Sequence, residues 1–426
     1  MVKRYALVGV GSRGYSMFME PLLRDYADVA QLVGLCDTNP ARMRLANARC
    51  GSAIPCYADV EALVAAQQPD VVIVASVDAT HAEITCMALE LGCDVIAEKP
   101  MATTAEQVRD ILDAERRSGQ SLRVSFNARY GAPTERLKEL LNERRVGRIA
   151  SVDFTEFLDT RHGADYFRRW HRNKANSGGL LVHKATHHFD QINWWIDSDP
   201  ETVFAMGARQ FYGPQRDERG ERCLTCGYAD SCPFYVDLRS DEALSALYLR
   251  AESEDGYWRD RCVFAPEIDI EDTLHVTVRY ANGVLLNYAL YAFAPFEGQR
   301  IGFTGSAGRM EVDWVDRYHG LDVAGGCSVR PLDVSPDVRT SPHFGRAYIE
   351  PVVQRTGAHG GADARIRKHL FRKGVPDPLR QQAGSRAGAM SVLVGCAANQ
   401  ALVTGHPVRI SDLIKPEQTT RENEQA

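Results

Sequence analysis

The sequence lacks the features that would direct it to a membrane, to export or to nucleic acid. No apolar run approaches the roughly 20 residues that a membrane span needs, and residues 1–4 lead straight into a strand pattern rather than a signal peptide. The formal net charge is −6, which gives no electrostatic reason to expect nucleic acid or an anionic membrane. Internal repeats and low-complexity tracts are also absent. We therefore expect a cytoplasmic protein without nucleic-acid or membrane partners.

The composition that remains describes a globular chain of two domains. Hydrophobic residues make up 44% and charged residues 25% of 426 residues, a balance typical of soluble folds and a length beyond one ordinary core. Strand and helix patterns alternate in the first part, which predicts an α/β fold. Later strand patterns include a hairpin turn at Asn282-Gly283. We place a first domain at 1–126, a second at 127–414 and a frayed polar tail at 415–426.

A glycine-rich loop follows the first strand pattern and precedes a helical stretch at 15–26. Its sequence is GVGSRG at residues 9–14. Gly9 permits the tight turn, Gly11 lets the backbone approach a pyrophosphate, and Gly14 lets the helix pack close to the strand. The helix N-terminus offers free N–H groups and a positive dipole end to phosphates. The loop predicts a dinucleotide site in a Rossmann domain; the alternative is a doubly wound domain that binds no dinucleotide.

An acidic residue ends the second strand pattern, at residues 30–36. Asp37 falls where a carboxylate hydrogen-bonds the ribose diol of a dinucleotide and repels a 2′-phosphate. The sequence therefore favours NAD over NADP. Arg42 keeps NADP open, because a nearby arginine can accommodate the phosphate.

Two further strand ends carry polar residues. The unbroken apolar run 71–75 predicts a buried parallel strand, and the loop 76–81 follows at the edge where open α/β sheets bind ligands. The strand at 93–97 ends in Glu98-Lys99-Pro100. Because proline restricts the residue before it and can adopt a cis peptide, we expect Lys99 to be held rigidly at this edge.

These segments resemble the glucose-fructose oxidoreductase, inositol dehydrogenase and MocA family. The matching segments are GVGSRG at 9–14, Asp37, SVDATH at 76–81, AEKP at 97–100, NARYGAP at 127–133 and GGLLVHKATHHFD at 178–190. The resemblance implies a Rossmann domain followed by a larger α/β domain. That second domain has an open, mostly antiparallel sheet that covers the nicotinamide and often forms the interface of a homo-oligomer, dimer or tetramer.

The resemblance also implies NAD(P)-dependent chemistry on sugars, cyclitols and related polyols. Together with the loops above, it assigns these cofactor-binding residues: Gly9, Gly11, Ser12, Arg13, Gly14, Asp37, Thr38, Arg42, Ser76, Val77, His81, Glu98, Lys99 and Asn127.

A group of histidines lies in the last matching segment. We predict one helix from Ser177 to about Trp195, which places His183, His187 and Asp190 on one face. The family pattern has aspartate where this chain has His183, so the resemblance implies a changed substrate pocket. Polar residues at a domain edge, or a zinc ion on the two i, i+4 histidines, are the alternatives. As substrate contacts we assign Tyr166, Arg172, His183, Lys184 and Asp190.

Lys99 and His187 are the predicted catalytic residues. His187 would take the hydroxyl proton as general base, and Lys99 would stabilise the developing negative charge on the oxygen. The two residues can exchange these roles on the sequence alone. The leading function is an NAD-dependent sugar, glycoside or cyclitol oxidoreductase. The alternatives are a glycoside hydrolase that oxidises, eliminates, hydrates and reduces with bound NAD⁺, and an NAD-binding sensor without catalysis.

Four of the eleven cysteines fall in an insertion at about 213–263 of the second domain. Cys223, Cys226 and Cys232 are closely spaced and Cys262 follows. A closed shell of four cysteines predicts a structural zinc site. An iron–sulfur cluster and free thiols are the alternatives, and the resemblance does not extend to this site.

Overall fold

The first domain is built on a six-stranded parallel sheet, sheet A, in a computed structural model that describes residues 2–317, 336–353 and 355–414. The spatial order of its strands is β3-β2-β1-β4-β5-β6, so the crossover between β1 and β4 creates the crevice where such sheets bind ligands. The strands are β1 (Lys3–Val8), β2 (Ala30–Cys36), β3 (Cys56–Tyr57), β4 (Val71–Val74), β5 (Asp94–Ala97) and β6 (Leu122–Val124).

Short helices connect these strands, as the alternating pattern predicts. The residues after the glycine loop form a π-helical segment, Gly14–Met19, before the first α-helix, whereas the sequence predicts one continuous helix. The helices of this part are α1 (Glu20–Arg24), α2 (Pro40–Cys50), α3 (Val60–Gln67), α4 (His81–Glu90), α5 (Ala105–Ser118) and α6 (Ala132–Asn142). The Lys99–Pro100 peptide is cis.

The second domain contains a nine-stranded sheet, sheet B, of order β14-β13-β12-β11-β7-β10-β9-β8-β15. Among the described strands of sheet B, β7 and β10 form the one parallel pair, and the hairpin at Asn282-Gly283 joins two antiparallel strands. This confirms the predicted open, mostly antiparallel sheet. The strands are β7 (Ile149–Asp159), β8 (Pro200–Ala208), β9 (Thr273–Tyr280), β10 (Leu285–Ala294), β11 (Glu297–Gly305), β12 (Gly308–Arg317), β13 (Val338–Pro342), β14 (Tyr348–Glu350) and β15 (Val408–Arg409).

The helices of the second domain are α7 (Thr160–Arg168), α8 (Lys174–Ser177), α9 (Leu180–His183), α10 (Thr186–Ile196), α11 (Glu242–Leu247), α12 (Glu252–Asp255), α13 (Ala362–Phe371), α14 (Ser385–Thr404) and α15 (Ile410–Ile414). In the described part of the chain, only α14 is long and apolar enough to cross a membrane by length and composition. Its buried face packs against β8 and α10, as in a core helix. The predicted tail at 415–426 lies outside the described residues.

The histidine segment is not the single helix that its spacing predicts. Gly178 and Gly179 have φ values of +68° and +75°, so the helix ends before them and a new one starts at Leu180. A second break at Lys184–Ala185 separates α9 from α10. Consequently His183 ends one helix and His187 lies in the next, rather than both lying in one continuous helix.

Candidate active site

The glycine loop has the close packing that its motif predicts. Gly9 has φ +90°, and a Cβ placed there would lie 2.5 Å from the backbone of Ala75. A Cβ at Gly14 would lie 1.9 Å from the carbonyl oxygen of Gly9. No larger residue fits either position without moving the backbone. The backbone N–H of Ser12 donates to the Tyr248 hydroxyl at 3.1 Å, so a residue of the insertion reaches this loop.

Asp37 lies beside the glycine loop at the end of β2. Its carboxylate accepts hydrogen bonds from the backbone N–H groups of Val10 at 2.7 Å and Asn39 at 2.8 Å. Arg42, in the first turn of α2, has its guanidinium 3.8 Å from the Asp37 carboxylate. Thr38 is exposed next to Asp37. The carboxylate is thus fixed where the motif predicts a ribose contact.

A buried network joins the glycine loop to the two domains around it. Arg13 pairs with Glu98 at 2.7 Å and with Asp363 at 3.2 Å. Asp363 also accepts from Asn127 at 2.7 Å and contacts His359 at 2.9 Å. Although burial opposes its ionisation, His359 and then Arg13 hold the pKa of Asp363 far below its usual range. The network fixes Arg13 and Asn127 within the protein.

The loop after β4 is braced by His81. This buried side chain contacts the carbonyl oxygens of Pro100 at 2.7 Å and Ser76 at 3.2 Å, and the Ser76 hydroxyl bonds Thr80 at 2.7 Å. Val77 is half-buried beside them. His81 therefore ties the 76–81 loop to the Lys99–Pro100 turn, a bracing role between two loops of the predicted cofactor edge.

Lys99 extends from the end of β5 to the histidine segment. Its ammonium donates to the backbone carbonyl of His183 at 3.1 Å. Burial lowers the pKa of Lys99 to about 8, against the opposing effect of Asp78 and Glu98. Lys99 therefore titrates close to neutral pH, as a proton-handling group requires.

His183 is paired with Asp78 of the loop after β4. Nδ1 of His183 hydrogen-bonds the Asp78 carboxyl. The His183 ring packs edge-on against Tyr166, and its centroid lies 4.2 Å from that of the tilted His171 ring. Burial lowers the pKa of His183 and raises that of Asp78. Burial thus disfavours the charged form of both partners, and the hydrogen bond joins them.

His187 presents an unoccupied ring nitrogen. It is half-buried, its ring centroid lies 6.0 Å from that of Phe126, and its buried Nδ1 has no hydrogen-bond partner within the described residues. Burial and the nearby Lys99 charge hold the pKa of His187 well below its ordinary value. The imidazole is thus neutral at pH 7, the form that can accept a proton.

Three predicted substrate contacts have partners within the protein. The Lys184 ammonium pairs with buried Glu156 at 2.9 Å, and the Arg172 guanidinium pairs with Glu267 at 2.9 Å. Asp190 accepts a two-pronged hydrogen bond from Arg129, at 2.6 and 2.7 Å. Of the three, Lys184 lies near enough to Lys99 and His187 for its charge to lower the pKa of both.

The Arg129–Asp190 pair gives a prediction about stability. Both residues are 5% exposed or less, so Asp190→Ala leaves a buried guanidinium without its carboxylate. We expect the free energy of unfolding to fall by about 3–5 kcal/mol. Chemical denaturation measures it, and Asp313→Ala, which removes an exposed pair with Arg300, should change it by less than about 1 kcal/mol. Equal effects of the two variants would contradict this role.

A second chain of polar groups lies beside His183, and of its members the sequence identifies only Tyr166. Tyr166 bonds Nε2 of His162 at 2.9 Å, and Nδ1 of His162 bonds Glu297 at 2.7 Å. Although burial opposes ionisation, His162 lowers the pKa of Glu297 to about 2. Glu297 comes from β11, far away in sequence. Asp78 carries a clearer signal, since it lies in the loop at a strand end.

The four cysteines of the insertion line one small cavity of about 20 Å³. Arg168 donates to the sulfur of Cys223 at 3.1 Å, and Arg216 donates to that of Cys232 at 2.8 Å. Across residues 2–317, 336–353 and 355–414, no group of three or more potential ligands is arranged to hold a metal ion. The zinc and iron–sulfur predictions, including a zinc on His183 and His187, are therefore not supported. The spacing alone cannot show whether cysteines converge to coordination distance.

The crevice as a whole suits a dinucleotide. The two glycines that exclude a Cβ bring the loop backbone close to the β4 end, the Ser12 N–H points to a hydroxyl, and a buried carboxylate lies at the β2 end. The close-packed loop is what the approach of a pyrophosphate requires, and the carboxylate is an acceptor for a ribose. Lys99, His183 and Asp78 lie at the same edge of sheet A.

Two family models match consecutive parts of the chain. Residues 3–126 match the model described as an oxidoreductase family, NAD-binding Rossmann fold, and residues 138–326 match the C-terminal alpha/beta domain of that family. Protein YteT of Bacillus subtilis (strain 168), provisionally named an oxidoreductase, is 34% identical over 97% of this chain and 99% of its own. The D-glucoside 3-dehydrogenase of Escherichia coli (strain K12) is 37% identical over 38% of this chain and 45% of its own.

Solved structures share the fold at lower sequence identity. An oxidoreductase from Agrobacterium radiobacter, in complex with NAD⁺, L-tartaric acid and magnesium, has a TM-score of 0.66 at 16% identity over 97% of this chain and 100% of its own. The WlbA dehydrogenase from Bordetella pertussis, in complex with NADH and UDP-GlcNAcA, has a TM-score of 0.64 at 19% identity over 96% and 99%. The chain belongs to the Gfo/Idh/MocA family of NAD-binding oxidoreductases.

Proposed function

We propose that this protein transfers hydride between a hydroxyl group of a sugar, glycoside or cyclitol and the nicotinamide of NAD. The observation that supports this most directly is the meeting of Lys99 with the histidine segment. The ammonium of Lys99 bonds the His183 carbonyl at the ligand edge of sheet A, and the free imidazole nitrogen of His187 lies close enough for Lys99 to lower its pKa. That pairing supplies both a proton acceptor and a cation for an alcohol oxygen.

The protein groups divide the work of alcohol oxidation between them. A bound NAD⁺ supplies the hydride acceptor. Neutral His187 takes the hydroxyl proton, and the Lys99 ammonium hydrogen-bonds the same oxygen and stabilises its developing negative charge. His183, held by Asp78, and Tyr166 contact the substrate in this proposal. Lys184, Arg172 and Asp190 support the surrounding walls through their ion pairs.

Coenzyme and assembly follow from the same arrangement. Asp37 favours NAD over NADP because its fixed carboxylate accepts from a ribose diol and repels a 2′-phosphate. We assign the dinucleotide to the glycine loop, Asp37 and the 76–81 loop. A homo-oligomer through the outer face of sheet B, which carries exposed Leu285 and Met206, is the assembly we expect.

These roles predict a pH profile. Lys99, with its pKa lowered to about 8 by burial, is charged below that pH and loses its proton above it. His187, whose pKa lies well below its ordinary value, stays neutral throughout. We therefore expect kcat/KM for oxidation to fall about tenfold per pH unit above 8, measured between pH 6 and 10 by NADH formation. Lys99→Arg should lose the fall in kcat/KM above pH 8, because arginine stays charged there. A kcat/KM that instead rises through pH 8 would indicate that Lys99 is the base.

A redox-neutral glycoside hydrolase is the second candidate. The chain Tyr166–His162–Glu297 beside His183 gives more proton-carrying groups than one oxidation needs. A cycle of oxidation, elimination of the aglycone, addition of water and reduction requires several proton transfers at neighbouring carbons. Cleavage of a glycoside without net NADH would favour this candidate.

One incubation separates these functions. Purified protein with NAD⁺ is presented with a panel of sugars, glycosides and cyclitols, and both NADH and released aglycone are followed. NADH without cleavage indicates the dehydrogenase, and cleavage without NADH indicates the hydrolase. If the protein bound NADH but neither oxidised nor cleaved any of these compounds, the proposed function would be overturned, and a non-catalytic NAD-binding sensor would be the remaining alternative.

A further inference from the structure

The insertion at 213–263 packs against the edge of the first domain that carries Asp37. Asn39, the buried N-cap of α2, donates to the carbonyl of Ala251 at 2.9 Å. The Arg49 guanidinium donates to the carbonyl of Ala243 at 3.3 Å. With the Tyr248 hydroxyl on the Ser12 N–H, these contacts run from the glycine loop along α2. The insertion thus borders the predicted pyrophosphate and ribose subsites.

The same insertion is fastened to itself and to the second domain. Arg222 pairs with buried Asp260 at 2.7 Å and with Glu252 at 2.9 Å, which holds α12 in place. Arg168 of α7 donates to the carbonyl of Phe234 at 2.8 Å. Because both sides are anchored, α12 has a defined position over α2.

Arg42 is the residue most affected by this docking. Its guanidinium lies 2.8 Å from the Asp255 carboxylate and 3.8 Å from that of Asp37. The rings of Tyr248 and Tyr257 lie 5.5 and 5.8 Å from its guanidinium carbon, and only 9% of the residue is exposed. A salt bridge and two aromatic faces therefore hold Arg42 in one orientation.

We propose that Asp255, on the insertion, is a coenzyme-specificity residue that withholds Arg42 from a 2′-phosphate. This inference rests on the proposed NAD-dependent function. Arg42 is the cation that could otherwise neutralise such a phosphate. Asp37, Asp255 and Arg42 together carry a charge of −1, so a phosphate arriving there meets net repulsion and an arginine already paired.

Asp255 acts in a way that Asp37 cannot. Asp37 is assigned to the ribose diol and accepts two backbone N–H groups, so its removal should damage NAD binding itself. Asp255 contacts Arg42 but belongs to the other domain, so neutralising it removes the closest negative charge from the guanidinium and leaves the Asp37 contacts intact. Selectivity is therefore set partly by a segment outside the Rossmann domain.

The test measures dinucleotide binding rather than turnover. Dissociation constants for NADH and NADPH are determined by nicotinamide fluorescence on the purified protein and on Asp255→Asn. We expect NADPH to bind about tenfold more tightly to the variant. The substitution removes one negative charge near the 2′-phosphate, and the loss of that repulsion is large enough for a tenfold change in the dissociation constant. NADH affinity should change less than about threefold. Glu254→Gln is the matched control, because its carboxylate pairs with exposed Arg44 instead.

Two further variants connect the effect to Arg42. Asp255→Asn combined with Arg42→Gln should lose the gain in NADPH affinity. Arg42→Gln alone takes the charge of this group from −1 to −2, so it should weaken NADPH binding rather than tighten it; if Asp255→Asn does not fold, Asp255→Ala carries the same test. An unchanged NADPH-to-NADH ratio in Asp255→Asn, or the same gain in NADPH affinity when Arg42→Gln is added to it, would overturn the inference. Failure of the wild type to bind NADH would instead overturn the proposed function.

Discussion

Lys99→Met is expected to lower kcat by about 10³-fold while leaving the dissociation constant for NADH within about threefold. The ammonium is the cation that meets the developing oxyanion, and removal of one such donor typically costs 10²–10³ in rate. Methionine keeps the length and apolar stem of the side chain, so the packing around the cis Lys99–Pro100 turn is preserved. Steady-state kinetics and nicotinamide fluorescence on the same preparations give the two quantities.

Lys3→Met is the control for this substitution. Lys3 begins β1 and pairs with Asp94 at 3.4 Å, so it lies at the start of the strands, opposite the end that carries Lys99. It should change neither kcat nor NADH binding. If Lys99→Met retained a tenth or more of wild-type kcat, the ammonium would not stabilise the reacting oxygen.

His187→Asn should lower kcat by about 10²–10⁴-fold, the usual contribution of a positioned general base. Asparagine matches the polar position of the ring Nδ1 but cannot take up a proton at neutral pH. The loss should be smallest at high pH, where hydroxide and solvent can accept the proton. The kcat of the variant across pH, compared with wild type, measures both effects.

Two substitutions serve as controls for His187. His406→Asn, at an exposed loop, should leave kcat unchanged. His183→Asn should raise KM more than it lowers kcat, because His183 is assigned to the substrate. A His187→Asn enzyme with full kcat, or a His183→Asn enzyme with the larger loss in kcat, would move the base to His183.

The sequence predicts the elements whose patterns are local. The glycine loop needs Gly14 because of its contact with Gly9, five residues earlier, and the turn at Asn282-Gly283 joins adjacent strands. Each was readable because the residues that dictate it are neighbours. The alternation of strands and helices predicts the parallel sheet A, whereas the open sheet B was predicted only from the family resemblance.

Contacts between distant segments could not be read in this way. Asp190 pairs with Arg129, and Lys184 pairs with Glu156. The partners lie far apart in sequence, so no periodic pattern predicts that they meet. The i, i+4 spacing of His183 and His187 predicts a shared face, but Gly178, Gly179 and the break at Lys184 interrupt the helix. The docking of Asp255 on Arg42 joins residues 213 positions apart, and only the fold reveals it.

Isotope transfer tests the central claim most directly. A responsive sugar or glycoside deuterated at its hydroxyl-bearing carbons is mixed with NAD⁺ and excess protein, and the coenzyme is analysed by mass spectrometry during the first turnover. We expect one deuterium on the nicotinamide with wild type and none with Lys99→Met. Consumption of the substrate by wild-type protein with no deuterium reaching the coenzyme at any time would contradict hydride transfer at this site.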